Sequence, residues 1–405
     1  MSDKKTVPKY NTAQRPAAGR TMREYALHLR LMRENRFYAR RSVKSSAPAL
    51  LDSRGFCRKM IVRMNPFEPH PLLRNPHAQT LAAAFLPRRF PRLPGSVARD
   101  FETEPGTRIR GQCHWQAAPS ERPTLVLVHG LEGSSESGHM LGLAEKAFAA
   151  GWNAVRLNQR NCGGTESLTP TLYNSGLSGD YRAVLNELIE RDSLSEIFFA
   201  GYSMGGNLVL KMAGELAGNA PRQLLAVAAV CPCVELGVCA DAVGLPQNFI
   251  YQEHFVGNLK KRMRRKAKLF PGKFDLCPMA SVRTLRDFDD KITAKYCGFR
   301  DAVDYYSRSS ALRVAAEIQV PSLIVTSQDD PFVPFGPFQN SAILGNRWIT
   351  LLAPEHGGHC AFISRENGQE RFWAEARIVE FCESKSELTK ASNARVESME
   401  KFAGR

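Results

Sequence analysis

The chain has 405 residues, 43% of them hydrophobic and 23% charged, the balance of a soluble globular protein rather than a disordered or fibrous one. No uninterrupted apolar stretch is long enough to cross a bilayer, and the start, MSDKKTVPKY, lacks a secretory apolar region. The net charge of +15 gathers at that end, because residues 1–60 hold 15 Lys and Arg against 4 Asp and Glu and leave only +4 on the rest.

Residues 1–63 therefore read as a basic, disordered N-terminal extension, with TMREYALHLRLM as a short helix inside it. A transit peptide or a tether to an anionic surface is an alternative, and so is an over-long reading frame, since Met60 and Met64 precede the first motif. The leader lacks interleaved aromatic platforms and any recognised module, which argues against nucleic-acid binding. Ten cysteines are scattered without a double C-x-x-C, the closest pair being Cys231 and Cys233. Free thiols in a reducing compartment are expected, with a cytoplasmic location, no metal and no cofactor.

Residues 64–385 are expected to form one α/β domain, followed by a tail over 386–405. A proline-rich segment, NPFEPHPLLRNPHAQTL, leads into a predicted hairpin around ARDFETEPGTRIRGQCHWQ. Short apolar runs follow at 124–130, 152–158, 197–201, 224–230, 322–327 and 348–352, most of them separated by segments long enough for helices. That alternation predicts a mostly parallel sheet with helices on both faces and active groups at the strands' carboxyl ends. The interval from about 232 to 320 is too long for a simple crossover and is read as an inserted helical lid.

The run IFFAGYSMGGNLVLKMAG drives a strand into a serine bracketed by Gly201 and Gly205 and leaves it as a helix. This is the G-x-S-x-G elbow, which holds a serine hydroxyl clear of a sheet and needs glycines where a side chain would meet a neighbouring strand or helix. Such a serine needs a base and a group that orients the base, in the chain order Ser, acid, His. Asp330 in DDPFVP is the preferred acid, with Asp329 read as a helix cap. His359, after Gly357 and Gly358, is the preferred base, with His356 in reserve. The oxyanion donors are expected to be the backbone N–H groups of Met204 and Leu131. His129 is read as structural, as are His77 and Gln79; Arg160 and Cys162 shape a neighbouring loop, and nothing partners Cys162 as a nucleophile.

The blocks NPHAQT, LVLVHGLEGSSES, LNQRNCGGTE, LYNSGLSGD, GYSMGGN, DFDDKITAKYCGF, DDPF and HGGHCAF cover roughly residues 66–385. With them the chain resembles the YheT-type α/β-hydrolases, a group that includes abhydrolase-domain lipases and esterases. The resemblance implies the α/β-hydrolase fold and supports Ser203, Asp330 and His359 as a triad. It departs at Gln159-Arg160-Asn161 and at Asn174, where many members have Arg-Gly and His respectively. The expected function is a serine carboxylic-ester hydrolase acting on short- to medium-chain or lipid esters. Two alternatives are an alcohol acyltransferase using the same triad and a non-catalytic lipid-binding protein.

Within the lid, NLKKRMRRKAKLFPG predicts a basic amphipathic helix ending before Pro271, with Leu259, Met263, Ala267 and Phe270 in one narrow arc. Its apolar stripe is expected to pack on the core. Its basic face offers weak peripheral contact with an anionic membrane surface.

Overall fold

The computed structural model describes residues 66–365 and 371–388, so the readings of 1–63 and of nearly all the C-terminal tail lie outside the described residues. The predicted hairpin forms as β1 (Val97–Glu104) and β2 (Thr107–His114), paired antiparallel. The six apolar runs become β3 (Thr124–Val128), β4 (Asn153–Asn158), β5 (Ile197–Tyr202), β6 (Leu224–Val230), β7 (Ser322–Val325) and β8 (Ile349–Leu352). They join one eight-stranded sheet in the order β1-β2-β4-β3-β5-β6-β7-β8, antiparallel up to the β2–β4 pair and parallel from β4 to β8.

Every residue of β3, β4 and β5 is buried, as a parallel sheet covered on both faces requires. The period-two alternation divides their side chains between two cores. Leu125, Leu127, Phe198 and Ala200 pack with the helices Gly138–Ala149 and Trp373–Glu383, whereas Val126, Val128 and Phe199 face the helices Ser178–Glu190 and Met204–Leu216. The chain leaves β3 toward β4 and then crosses back to β5 on the other side of β3. Ligand crevices form where strand order reverses in this way, at the carboxyl ends of the strands.

Between β6 and β7 the chain builds the helical lid. Its elements are the helices Leu236–Val243, Phe249–Leu269, Leu285–Phe288 and Ala302–Ser309, with a π-helical turn at Asp289–Ala294. On the long lid helix Val256, Leu259 and Met263 are buried, and so are Arg262 and Lys266. Two of the six cations between 260 and 266 thus turn inward with the apolar stripe. No helix among the described residues is long and apolar enough to cross a membrane.

Candidate active site

Ser203 sits between the end of β5 and the helix that starts at Met204, with φ 54° and ψ −118°. A non-glycine residue in such a conformation costs about 1–3 kcal/mol, and persists only where its surroundings enforce it. They do so here. The Ser203 N–H donates to the Val230 carbonyl at 2.8 Å, and its carbonyl accepts from the Asn207 N–H at 3.0 Å. A Cβ on Gly201 would lie 2.2 Å from the Gly205 carbonyl oxygen, and one on Gly205 only 2.4 Å from that of Val128. Both flanking glycines are therefore dictated by contact between the elbow, its helix and β3.

Asp330 lies in the loop after β7, its side chain wholly buried. One carboxylate oxygen accepts the N–H groups of Phe332 and Val333 at 2.8 and 3.0 Å; the other is 2.8 Å from His359 Nδ1. Burial alone would depress the His359 imidazole, but the Asp330 carboxylate and then Cys360 hold it well above its usual range. The structure corrects the reading of Asp329 as a helix cap. Its carboxylate instead accepts the Gly358 N–H at 3.0 Å and pairs with His356 Nδ1 at 3.2 Å. Two Asp–His pairs thus join the loop after β7 to the loop after β8, and the cavity is lined by His359 and not by His356.

Sequence reasoning missed Thr80, whose hydroxyl accepts the His359 N–H at 2.9 Å while donating to the Pro76 carbonyl at 2.7 Å. Its neighbour Gln79, fully buried, accepts the Ile363 N–H and donates to the Leu73 carbonyl, both at 2.6 Å. The NPHAQT block therefore pins the histidine loop. The block itself was the available signal. His77 takes no part in that clamp and meets the Tyr251 hydroxyl at 3.2 Å.

Met204 opens its helix and Leu131 lies in the loop after β3, beside the elbow: a Cβ on Gly130 would sit 3.7 Å from Ser203 Oγ. Among the described residues neither the Leu131 nor the Met204 N–H has a hydrogen-bond acceptor. The loop is held from the lid, because Arg262 grips the Glu132 carboxylate at 2.9 and 3.1 Å, the Tyr173 hydroxyl donates to the same group, and Arg262 also reaches the Asn161 carbonyl. Both His129 nitrogens are engaged, Nδ1 with the Gly130 carbonyl at 2.8 Å and Nε2 with the Gln159 N–H at 3.1 Å. Burial pushes its imidazole down to about 4, so it stays neutral.

Ser203, His359, Leu131 and Met204 front one cavity roofed by lid side chains such as Leu236, Val243, Leu259 and Met263. It encloses about 980 Å³, counting the space open to solvent at its mouth. Ser203 Oγ contacts Cys233 Sγ at 3.5 Å, and no hydrogen bond joins it to His359. Catalytic hydrogen bonds are commonly long without substrate. The surface this lining exposes is mostly apolar; among its polar residues is Asp289, whose carboxyl burial pushes up to about 6 although Thr293 and Tyr306 donate to it. Cys162 is fully buried and its thiol is pushed up to about 12, which makes it a packing residue. Arg160, buried against Asp180 and Thr171, braces the same loop.

Residues 123–366 match the family described as alpha/beta hydrolase fold. YheT of Escherichia coli (strain K12), which carries an esterase name, is 32% identical over 65% of this chain and 78% of its own length. Phospholipase ABHD3 of Mus musculus is 26% identical over 60% of this chain and 59% of its own. Among solved structures, the Pyrococcus furiosus esterase Pf2001 superposes with a TM-score of 0.51 at 16% identity, over 79% of this chain and 98% of that one. At that identity it speaks to the fold alone.

Proposed function

The chain belongs to the alpha/beta hydrolase fold family, and we propose that it is a serine carboxylic-ester hydrolase with Ser203 as nucleophile, His359 as base and Asp330 as orienting acid. The observation that carries this reading is the 2.8 Å pair of His359 Nδ1 with a buried Asp330, opening on the same apolar cavity as the strained Ser203. Asp330 fixes the tautomer with the proton on Nδ1, leaving Nε2 to take the Ser203 proton. The serine oxygen attacks the ester carbonyl, and the oxyanion is received by the N–H groups of Leu131 and Met204. His359 returns the proton to the departing alcohol, and water then releases the acyl group with His359 again as base.

The largely apolar lining supports an acyl chain as the bound portion of the substrate. The esterase and phospholipase names of the relatives favour carboxylic esters of lipid or short- to medium-chain type. A screen of p-nitrophenyl esters of graded chain length tests the reading. Turnover that depends on Ser203, with a preference among acyl lengths, is expected. An absence of turnover on every ester, with no covalent labelling by a fluorophosphonate, would revive a non-catalytic role.

A further inference from the structure

Cys231 and Cys360 stand 129 residues apart in the chain, yet the fold brings them together beneath the histidine loop. Cys231 follows the last residue of β6 with φ 44°, and Cys360 follows His359 with φ 57°. The Cys360 N–H donates to Cys231 Sγ at 3.2 Å; Cys231 Sγ lies 3.8 Å from the Gly358 carbonyl and Cys360 Sγ 3.6 Å from that of Val230. Both sulfurs and a ring nitrogen of His359 lie within 4.8 Å of one another. A tetrahedral zinc with Zn–S of about 2.3 Å and Zn–N of about 2.0–2.1 Å separates its donors by roughly 3.6–3.8 Å, so shifts on the order of 1 Å complete the geometry.

We infer that Cys231, Cys360 and His359 form a three-donor site for a thiophilic d10 cation, Zn2+ or Cd2+, whose binding switches off the hydrolase by engaging His359. Two sulfurs and an imidazole suit such a cation and not Mg2+ or Ca2+, which take oxygen donors. Binding forms two metal–sulfur bonds and one metal–nitrogen bond, and the two thiol protons leave to solvent. The His359 side chain is 12% exposed and fronts the cavity; an ion would reach the two sulfurs past this imidazole, with water as its fourth ligand. The inhibitory half rests on the reading of His359 as the base. That reading needs both nitrogens, Nδ1 for Asp330 and Nε2 for the serine proton, so coordination through either one disables it. The binding half does not depend on it.

The test titrates the full-length protein with Cd2+ while following the ultraviolet thiolate-to-cadmium band and p-nitrophenyl ester turnover. One equivalent is expected to raise the band and abolish turnover over the same concentration range, with EDTA removing the band and restoring turnover. Ser203→Ala is expected to show the same band, so an error in the triad would leave the site standing. Cys231→Ser and, separately, Cys360→Ser are expected to weaken binding by at least about tenfold. Inhibition, scored against each variant's own metal-free rate, should shift in parallel. In the wild type, Cd2+ should also protect Cys231 and Cys360 from iodoacetamide, which needs no variant to fold. No band at stoichiometric Cd2+ overturns the site, as does a band that survives both serine variants but disappears in Cys233→Ser. A band with turnover intact overturns the switch and counts against His359 as base.

Discussion

Two aspartates stand side by side after β7, and their partners tell them apart. Asp330 is buried, accepts two backbone N–H groups and holds His359; Asp329 holds Gly358 and the more exposed His356. Asp330→Asn is expected to lower kcat by about 10²–10⁴-fold, since an amide at that position favours the wrong imidazole tautomer. Asp329→Asn should cost about tenfold or less, because it loosens the loop without touching the base. Kinetics of the two variants on one ester decide the assignment, and the reverse ranking would make Asp329 the acid. The pair was visible in the sequence; which partner each chose was not, because it depends on where two adjacent turns aim their side chains. Asp289 offers a pH signature. Its carboxyl is pushed up to about 6 in the fold from 3.8, so between those values the unfolded chain has released a proton that the native chain keeps. Stability therefore falls as pH rises through that window, by up to about 3 kcal/mol from this one group, and the loss is complete above pH 6. Urea unfolding at pH 4 and pH 7 should show that loss in the wild type relative to Asp289→Asn. Equal differences at the two pH values would contradict it.

The lid helix Phe249–Leu269 shows what periodicity reveals and what it leaves out. The apolar arc was readable from spacing and packs inward as expected, with Leu259 and Met263 buried. The inward turn of Arg262 and Lys266 was not readable, because their partners come from elsewhere in the chain: Glu132 after β3, and the carbonyls of Glu166 and Thr169. Arg262 thereby ties the lid to the loop that carries Leu131. Breaking one side of a buried ion pair costs about 3–5 kcal/mol, whereas replacing both sides by apolar groups can be neutral. Arg262→Met is accordingly expected to lower the melting temperature and kcat together, and Arg262→Met/Glu132→Leu to recover stability better than activity. Additive losses in that cycle would mean that the pair is uncoupled. Outward, Lys261, Arg264, Arg265 and Lys268 remain exposed, with Arg265 also paired to Glu166. With the stripe committed to the core, membrane contact at this helix rests on charge. A chain starting at Met60 should sediment with anionic vesicles only at low ionic strength, and binding to neutral vesicles that survives salt would point to apolar insertion instead.

Across the whole molecule, the strands and the elbow could be read from sequence, because parallel strands are near-continuous apolar runs and the glycine spacing is imposed by close contact, whereas the order of the strands in the sheet could not. The contacts that assemble the site were hidden, since each joins segments far apart in the chain: Thr80 to His359, Glu132 to Arg262, Cys231 to Cys360. Residues 1–59 carry a large excess of basic over acidic side chains and few large apolar ones to contribute to a core. Removal of the first 59 residues is therefore expected to leave the melting temperature and the turnover of soluble esters unchanged; a large drop in either would assign the leader a share in the fold. The most direct test of the account is peptide mass spectrometry after treatment with a fluorophosphonate. One adduct is expected, on the peptide carrying Ser203, and neither adduct nor ester turnover in Ser203→Ala; an adduct on another residue, or turnover that survives that substitution, would contradict Ser203 as the nucleophile.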